Sequence, residues 1–408
     1  MENNSPSAQK TTAPATGTKP VQGLVLSGGG ATAAYEIGVM KALLTGQSPA
    51  TRFAPLDVHV VSGTSAGSVN ASLFASLAER EPAEAASYME KVWLNEFSDG
   101  PGKCNSGAFR IRANPLNFLH PGCYASNPTA PFLQLAQDSS FLAQNLLARG
   151  LAFFSGSESL EQRAVGLLSL STLISSEPFK SVLNQKISLA AIRSSPVELR
   201  IAATNWKKGC VAVFNNKDMT DENGVPIIMA SSAIPGVYPA VKIKGEPYVD
   251  GGVLMNTPLK PAIDAGGNEL HIIYMNPDVA NIPLPNLPNT VNDLCRTLAI
   301  GFGSAINQDI ETARKMNQGI AFWARNANIA EASKGESSNV LVEAGKERVA
   351  QGARMSHRPL TIHRYHPSAD LTVGPLDFGS EGLRTLINQG FKEAVEHSCD
   401  KNKCVLVS

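Results

Sequence analysis

Short apolar runs followed by glycine-rich turns open the patterned part of the chain. Residues 21–26 form a buried-strand run, which is followed by Gly28-Gly29-Gly30 and then by a helical pattern. Residues 58–61 form a second apolar run, which turns over residues 62–67 into an Ala/Leu-rich helical pattern. Two successive strand–turn–helix units predict a parallel sheet with helices on both of its faces.

The pattern loosens in the middle of the chain and then resumes. Residues 95–177 hold Gly/Pro/Asn-rich segments and weakly amphipathic helical patterns, which predict a helical cap inserted into the sheet domain. Later strands are predicted near residues 198–203, 211–214, 248–249 and 271–275, and a Pro-rich linker at 277–288 precedes a long helix, a strand at 360–365 and a final helix. The predicted domains are a disordered tail at 1–20, an α/β domain at 21–280 with the cap, and a helical extension at 281–408 packing on it.

Composition and charge exclude several classes of protein. Of the 408 residues 43% are hydrophobic and 17% are charged, which is typical of a globular α/β protein. Lys plus Arg and Asp plus Glu both number 35, so no net charge attracts nucleic acid or an anionic membrane. Any membrane contact is then expected to be local and apolar.

The chain shows no targeting or spanning segment. Residues 1–20 lack the apolar core of a secretory signal, and no stretch reaches the ~18 apolar residues of a transmembrane helix. We therefore expect a cytoplasmic protein, or one exported without a cleavable signal peptide.

The cysteines argue against a disulfide framework and against zinc. Six cysteines are scattered along the chain, and none forms a C-x-x-C pair. Cys399 and Cys404 are close enough in sequence to form a disulfide bond, but two reduced thiols near the C-terminus are the favoured interpretation.

The first candidate for chemistry is Ser65 in Gly63-Thr64-Ser65-Ala66-Gly67. This G-x-S-x-G pentapeptide stands where a predicted strand ends and a helix begins, which is the position of a nucleophile elbow. Gly63 and Gly67 lack the Cβ atoms that would collide at such a turn. A glycine/serine turn that matches by chance is the alternative.

The second candidate is the glycine loop Gly28-Gly29-Gly30. It too joins a strand to a helix, so its N–H groups are placed to form an oxyanion hole at the same sheet edge as Ser65. Gly28, Gly30 and Ala33 also fit a dinucleotide fingerprint, but the second strand ends in the elbow instead of an acidic residue that would bind a ribose.

A serine nucleophile needs a base, and the histidines are poor candidates. His59 and His271 lie in predicted strands, and His120 lies in the predicted cap. The spacing of His357, His363 and His366, beyond the linker, could suggest a metal site, but a solvated basic surface is favoured there. Asp250, at a strand end before Gly251 and Gly252, could contact Ser65 directly if a desolvated site raises its proton affinity.

These three motifs, in this order, resemble the patatin-like phospholipases. Residues 230–239 and Asn256-Thr257-Pro258 extend the resemblance, which covers about residues 21–280 and a closing segment at 376–378 and 386–390. It implies a three-layer α/β/α fold with a mainly parallel sheet, a helical cap and a helical C-terminal extension. It also implies a Ser–Asp dyad that works without histidine, metal or cofactor. Thr32 and Ala33 depart from the family, which usually has a basic residue and a glycine there.

The expected activity is that of a phospholipase A or lysophospholipase. Ser65 attacks a fatty-acyl ester, Asp250 accepts the proton, the Gly28–Gly30 loop holds the oxyanion, and water releases the fatty acid from an acyl-enzyme. The expected partner is a membrane or micellar lipid surface and not nucleic acid; similar proteins include some that a second protein activates. The alternatives are a soluble carboxylesterase or thioesterase, and a catalytically weak member that binds lipid or a partner.

Overall fold

The structure of the chain is a computed structural model. The structure describes residues 19–99, 106–114, 129–155, 170–275, 290–332, 358–369, 371 and 373–407. Almost all of the predicted tail and the whole predicted linker lie outside these residues. Where the sequence analysis predicted strands and helices within them, strands and helices form.

A mixed, mainly parallel sheet is the centre of the molecule. The strands are β1 Gln22–Leu26, β2 Val58–Thr64, β3 Arg110–Ile111, β4 Ile174–Ser175, β5 Glu198–Asn205, β6 Cys210–Asn215, β7 Val241–Ile243, β8 Glu246–Asp250, β9 Glu269–Ile273 and β10 Thr361–Tyr365. The sheet order is β10-β9-β1-β2-β5-β8-β7, with β6 also paired to β5 and with β3 and β4 forming a separate pair. β10, β9, β1, β2 and β5 are parallel, whereas β6 and β8 are antiparallel to β5.

Helices cover both faces of this sheet. They are α1 Ala34–Leu44, α2 Ala66–Ser76, α3 Pro82–Val92, α4 Ala130–Ser155, α5 Leu170–Leu173, α6 Glu177–Lys186, α7 Leu189–Ser194, α8 Gly224–Ser231, α9 Leu259–Asp264, α10 Thr290–Ala332 and α11 Ser380–Val395. None of them, within the described residues, is both long and apolar enough to cross a bilayer.

Alternate side chains of the buried strands face two separate cores. On β1, Leu24 and Leu26 pack with α1, α2 and α11, whereas Val25 packs with α9 and α10. This alternation follows from the two-residue period of a strand, and an apolar strand buried on both faces is typical of a parallel sheet between helices. The predicted three-layer α/β/α architecture is therefore confirmed.

The C-terminal part of the chain is built into the same body. β10 pairs in parallel with β9 as the edge strand, so the sheet includes a strand from beyond residue 280, where the predicted α/β domain ends. α11 packs on α1, where Tyr35 Oη donates a hydrogen bond of 2.7 Å to Glu393 Oε2. The separate extension at 281–408 remains a prediction about domains, but its last strand and helix complete the central layers.

The region predicted as a cap carries the short pair β3–β4 and the long helix α4. Arg110 of β3 binds both carboxylate oxygens of Asp138 of α4, at 2.5 and 2.9 Å. Asp138 is 3% exposed, and its Oδ2 also accepts from the N–H of Ala113. This buried bidentate ion pair fixes α4 to β3, which pairs with β4.

Candidate active site

Ser65 lies at a sharp turn between β2 and α2. β2 ends at Thr64, α2 begins at Ala66, and Ser65 between them has a φ of 54° and a ψ of −127°. A positive φ is unfavourable for a residue that carries a Cβ, so the turn holds this serine in a strained conformation. Strand and helix approach so closely that a Cβ on Gly63 would lie 2.2 Å from the carbonyl oxygen of Gly67. The pentapeptide thus folds as a strand–turn–helix elbow.

Asp250 reaches Ser65 because β2 and β8 end against each other along one edge of β5. Thr64 of β2 pairs with Ala202 of β5, and Asp250 of β8 pairs with the next residue, Ala203. β6 occupies the other edge of β5 at both positions, so β2 and β8 share the remaining edge. As a result Ser65 Oγ donates a hydrogen bond of 2.7 Å to Asp250 Oδ2.

The carboxylate of Asp250 is desolvated. Asp250 is 5% exposed, and burial raises its pKa to about 6, although hydrogen bonds from Ser65 Oγ and the Gly252 N–H act in the opposite direction. The Gly252 N–H lies 2.7 Å from Oδ1 in the tight turn that Gly251 begins. A raised pKa brings the carboxylate closer to the proton affinity that a general base needs near neutral pH.

The glycine loop after β1 presents backbone donors to the same site. The N–H of Gly28 donates to the carbonyl of Asn256 at 3.1 Å, whereas the N–H groups of Gly29 and Gly30 donate to no acceptor among the described residues. Gly30 has a φ of 60°, and a Cβ there would lie 2.2 Å from the carbonyl oxygen of Pro375. Gly28 therefore fixes the loop, and Gly29 and Gly30 keep two free donors.

Thr32 and Ala33, which depart from the family pattern, are both packed inside. Thr32 Oγ1 donates a hydrogen bond of 2.8 Å to the carbonyl of Gly29, and the carbonyl of Ala33 accepts one from Asn70 at 3.2 Å. No Lys or Arg side chain of the described residues lines the pocket beside Ser65. Stabilisation of negative charge here depends on N–H groups and on the N-terminal end of α2, which follows Ser65 directly.

Two positioning residues carried no signal of their own in the sequence. Ser231 Oγ accepts the N–H of Ser65 at 2.9 Å and donates to the carbonyl of Ala202 at 2.7 Å, which ties the elbow to β5. Asn256 holds Gly28 from both sides, since its carbonyl accepts the Gly28 N–H and its Nδ2 donates to the Gly28 carbonyl. Both residues lie in segments that resemble the family, and only that resemblance could have drawn attention to them.

An apolar pocket of about 160 Å³ opens at Ser65. Ser65, Ala66 and Gly30 lie along it with a set of large apolar side chains: Val69, Trp93, Phe97, Phe179, Met229, Ile234, Leu376 and Phe378. Pro375, Leu376 and Phe378 come from the segment before α11, far along the chain from the dyad. An apolar pocket beside the Ser65 hydroxyl and free N–H donors suits a hydrocarbon chain attached to a carbonyl group.

No histidine that the structure describes contacts Ser65 or Asp250. His271 is buried in β9 beside Tyr365, and His59 lies at the start of β2 with its ring at the carbonyl of Asp57. The expectation of a solvated basic surface is wrong for His363, which is 6% exposed in β10. His120 and His357 lie outside the described residues.

Comparisons with known proteins agree with this geometry at the level of the family. The family model described as patatin-like phospholipase matches residues 24–263. Comparison with curated proteins finds no match. The chain is also similar to the crystal structure of VipD from Legionella pneumophila, at 17% identity and a TM-score of 0.37, over 93% of this chain and 66% of the VipD chain.

A second solved structure is similar at a lower level. It is that of full-length SpcU in complex with full-length ExoU from the type III secretion system of Pseudomonas aeruginosa. The match has 15% identity and a TM-score of 0.25, and it covers 82% of this chain and 68% of the other. This chain spans just under two thirds of the VipD chain.

Proposed function

Because the chain belongs to the patatin-like phospholipase family, we propose that it is a lipid acyl hydrolase that cleaves fatty-acyl esters of phospholipids through a Ser65–Asp250 dyad. The observation that carries the proposal is the 2.7 Å hydrogen bond from Ser65 Oγ to Asp250 Oδ2 at the end of an apolar pocket. No other titratable side chain of the described residues contacts the Ser65 hydroxyl.

The first half of the reaction forms an acyl-enzyme. Ser65 Oγ attacks the ester carbonyl while Asp250 Oδ2 takes the hydroxyl proton. The carbonyl oxygen becomes an oxyanion, which accepts hydrogen bonds from the free N–H groups of Gly29 and Gly30. When the intermediate collapses, the ester C–O bond breaks and Asp250 returns the proton to the leaving alcohol, which departs as a lysophospholipid or a glycerophosphoryl alcohol.

The second half repeats these steps with water. Asp250 takes a proton from a water molecule whose oxygen attacks the acyl carbon, and the same two N–H groups hold the second oxyanion. Collapse breaks the bond to Ser65 Oγ, which recovers its proton from Asp250, and the fatty acid leaves. Every proton transfer uses one carboxylate, which agrees with the absence of a histidine at the dyad within the described residues.

Helix α4 supports contact with a lipid surface. It exposes large apolar side chains in two groups, one in its first turn and one in its second half, each at least 60% exposed: Phe132, Leu133, Leu146, Leu147 and Leu151. α4 is anchored to Arg110, which follows the pocket residue Ala108 by two positions. A helix with such exposed apolar side chains suits peripheral binding to lipid, because covering them lowers the free energy.

Labelling with a fluorophosphonate tests the nucleophile directly. Such a reagent phosphonylates a serine only when the serine is activated, so the wild-type chain is expected to gain one adduct on Ser65. Ser65→Ala is expected to gain none, whereas Ser176→Ala, which removes another hydroxyl of the same pocket, is expected to react like wild type. A folded wild-type protein that stays unlabelled would point to a member that binds lipid without turning it over.

A further inference from the structure

Four side chains that bind transition metals converge where β10, the end of α11 and the C-terminal loop meet. They are His363 of β10 and His397, Cys399 and Cys404 of the segment after α11, and one ligand atom from each lies within 4.8 Å of all the others. Both histidines are buried, at 6% and 7% exposed, and the two cysteines are half-buried with free thiols. The dyad chemistry uses none of them.

We propose that these four residues bind a structural zinc ion as a Cys2His2 site. The distances carry the assignment. Cys399 Sγ lies 3.4 Å from His363 Nδ1 and 3.6 Å from His397 Nε2, and Cys404 Sγ lies 3.5 Å from the same His397 nitrogen. In a tetrahedral site with Zn–S bonds of about 2.3 Å and Zn–N bonds of about 2.05 Å, sulfur and nitrogen stand about 3.5 Å apart.

The set of donors selects zinc among the common metals. Two thiolates and two neutral imidazoles in a tetrahedron are typical of structural zinc, whereas calcium and magnesium require oxygen ligands. Two thiolates also balance the charge of the ion, so the occupied site is neutral in its buried position.

Groups around the cluster orient the ligands. The N–H of Arg364 donates to Cys404 Sγ at 3.4 Å, and such a contact stabilises a thiolate. His363 turns its other ring nitrogen, Nε2, towards Glu269, whose carboxylate oxygen lies 4.0 Å away. A carboxylate behind a ligating histidine is a common outer partner in zinc sites, because it holds the ring orientation.

The backbone already holds the loop in the conformation that the ion needs. Val405 and Ile362 exchange two backbone hydrogen bonds, and the Cys404 N–H donates to the Cys399 carbonyl at 2.9 Å. Bound zinc would tie the C-terminal loop to β10 and, through it, fix the end of α11. Zinc also gives a reason for the juxtaposition of two buried histidines and two thiols, of which the sequence analysis assigned only His363 to a basic surface and only Cys399 and Cys404 to a pair of reduced cysteines.

The zinc content of the full-length protein tests the assignment. Protein purified under reducing conditions from zinc-supplemented cells is expected to contain about one zinc per chain by plasma mass spectrometry. Cys210→Ser, which removes an exposed thiol elsewhere, is expected to keep this content, whereas Cys404→Ser and His363→Asn are expected to lose most of it. Chelator is expected to lower the thermal midpoint of the wild type by ~5 °C or more, because the ion binds only the folded state.

Cobalt substitution gives a second readout that needs no variant. Wild-type protein loaded with Co²⁺ is expected to show the intense visible absorption of a tetrahedral site and a sulfur-to-metal charge-transfer band. Folded wild-type protein that holds no zinc after incubation with Zn²⁺ would overturn the proposal. So would a Cys399–Cys404 disulfide bond in the reduced preparation, or a zinc content that Cys404→Ser leaves unchanged, since the metal would then lie elsewhere.

Discussion

Among single residues, Asp250 matters most to the proposed reaction, because its carboxylate is desolvated. Its 5% exposure raises its pKa to about 6, and its hydrogen bond to Ser65 gives the proton a direct path. The same burial disfavours the ionised form that the reaction needs, so stability and activity set opposite requirements at this position.

The pH dependence of the reaction follows from this pKa. Only ionised Asp250 accepts the Ser65 proton, so kcat/KM is expected to fall about tenfold per pH unit below pH ~6. The measurement uses a neutral soluble ester as substrate, because ionisable lipid headgroups would add their own pH dependence to the rate. An acidic limb near the ordinary aspartate pKa of ~4 would contradict a desolvated base.

The Asp250→Asn variant separates the contribution of this carboxylate to turnover from its effect on the stability of the fold. The amide keeps the size of the side chain but cannot accept the proton, so turnover is expected to fall by ~10²–10⁴-fold. The folded state of the wild type binds this proton more tightly than the unfolded chain, so stability is lost as the pH rises from about 4 through 6.

The variant should therefore be the more stable protein at high pH. Its free energy of unfolding is expected to exceed that of wild type by up to ~3 kcal/mol at pH 8 and to approach it near pH 4. Denaturant titrations at both pH values measure the difference. Near-normal turnover in Asp250→Asn would assign the base to another group, whatever the stability.

At the scale of elements, local patterns were sufficient for the strands, the glycine turns and the helices that follow them. They did not reveal how β8 meets β2, because that contact depends on the register of both strands against β5. The sequence indicated that Asp250 lies at a strand end. Its carboxylate reaches Ser65 only because Asp250 pairs with Ala203, next to the Ala202 that pairs with Thr64. Likewise, the hydrogen bonds of Ser231 and Asn256 follow from tertiary contacts that no periodicity encodes.

The exposed face of α4 leads to a prediction about lipid surfaces. Replacing Leu146 and Leu147 together with serine removes apolar area that is 64% and 65% exposed, so folding is expected to be unaffected. Activity on phospholipid vesicles is expected to fall about tenfold or more, while activity on a soluble short-chain ester is unchanged.

A matched control exists near the amino-terminal end of β2, away from the Ser65 end of that strand. Phe53 is 69% exposed just before β2 begins, whereas Ser65 follows the other end of that strand. Phe53→Ser is therefore expected to leave both activities unchanged. Equal loss on vesicles and on the soluble ester in the α4 variant would mean that the helix shapes the pocket and does not bind lipid.

At the scale of the whole molecule, the site is assembled from parts of the chain that are far apart. The family match ends at residue 263, yet Pro375, Leu376 and Phe378 line the pocket and the Pro375 carbonyl accepts the N–H of Ala31 in the glycine loop. The sequence alone drew attention to Ser65 and Asp250, because the motifs around them are short and local. It treated the last 128 residues as an extension, because nothing in their pattern shows that β10 joins the sheet or that the segment before α11 closes the pocket.

Release of fatty acid from phospholipid vesicles is the most direct test of the proposed function. Purified full-length protein and Ser65→Ala are incubated with mixed phospholipid vesicles, and free fatty acids and lyso products are measured by mass spectrometry. We expect the wild type to release fatty acid and Ser65→Ala to release none, and the lyso product identifies the bond that is cut. Equal release by both proteins, or none from wild-type protein that fluorophosphonate labels at Ser65, would contradict a phospholipase acting through this dyad.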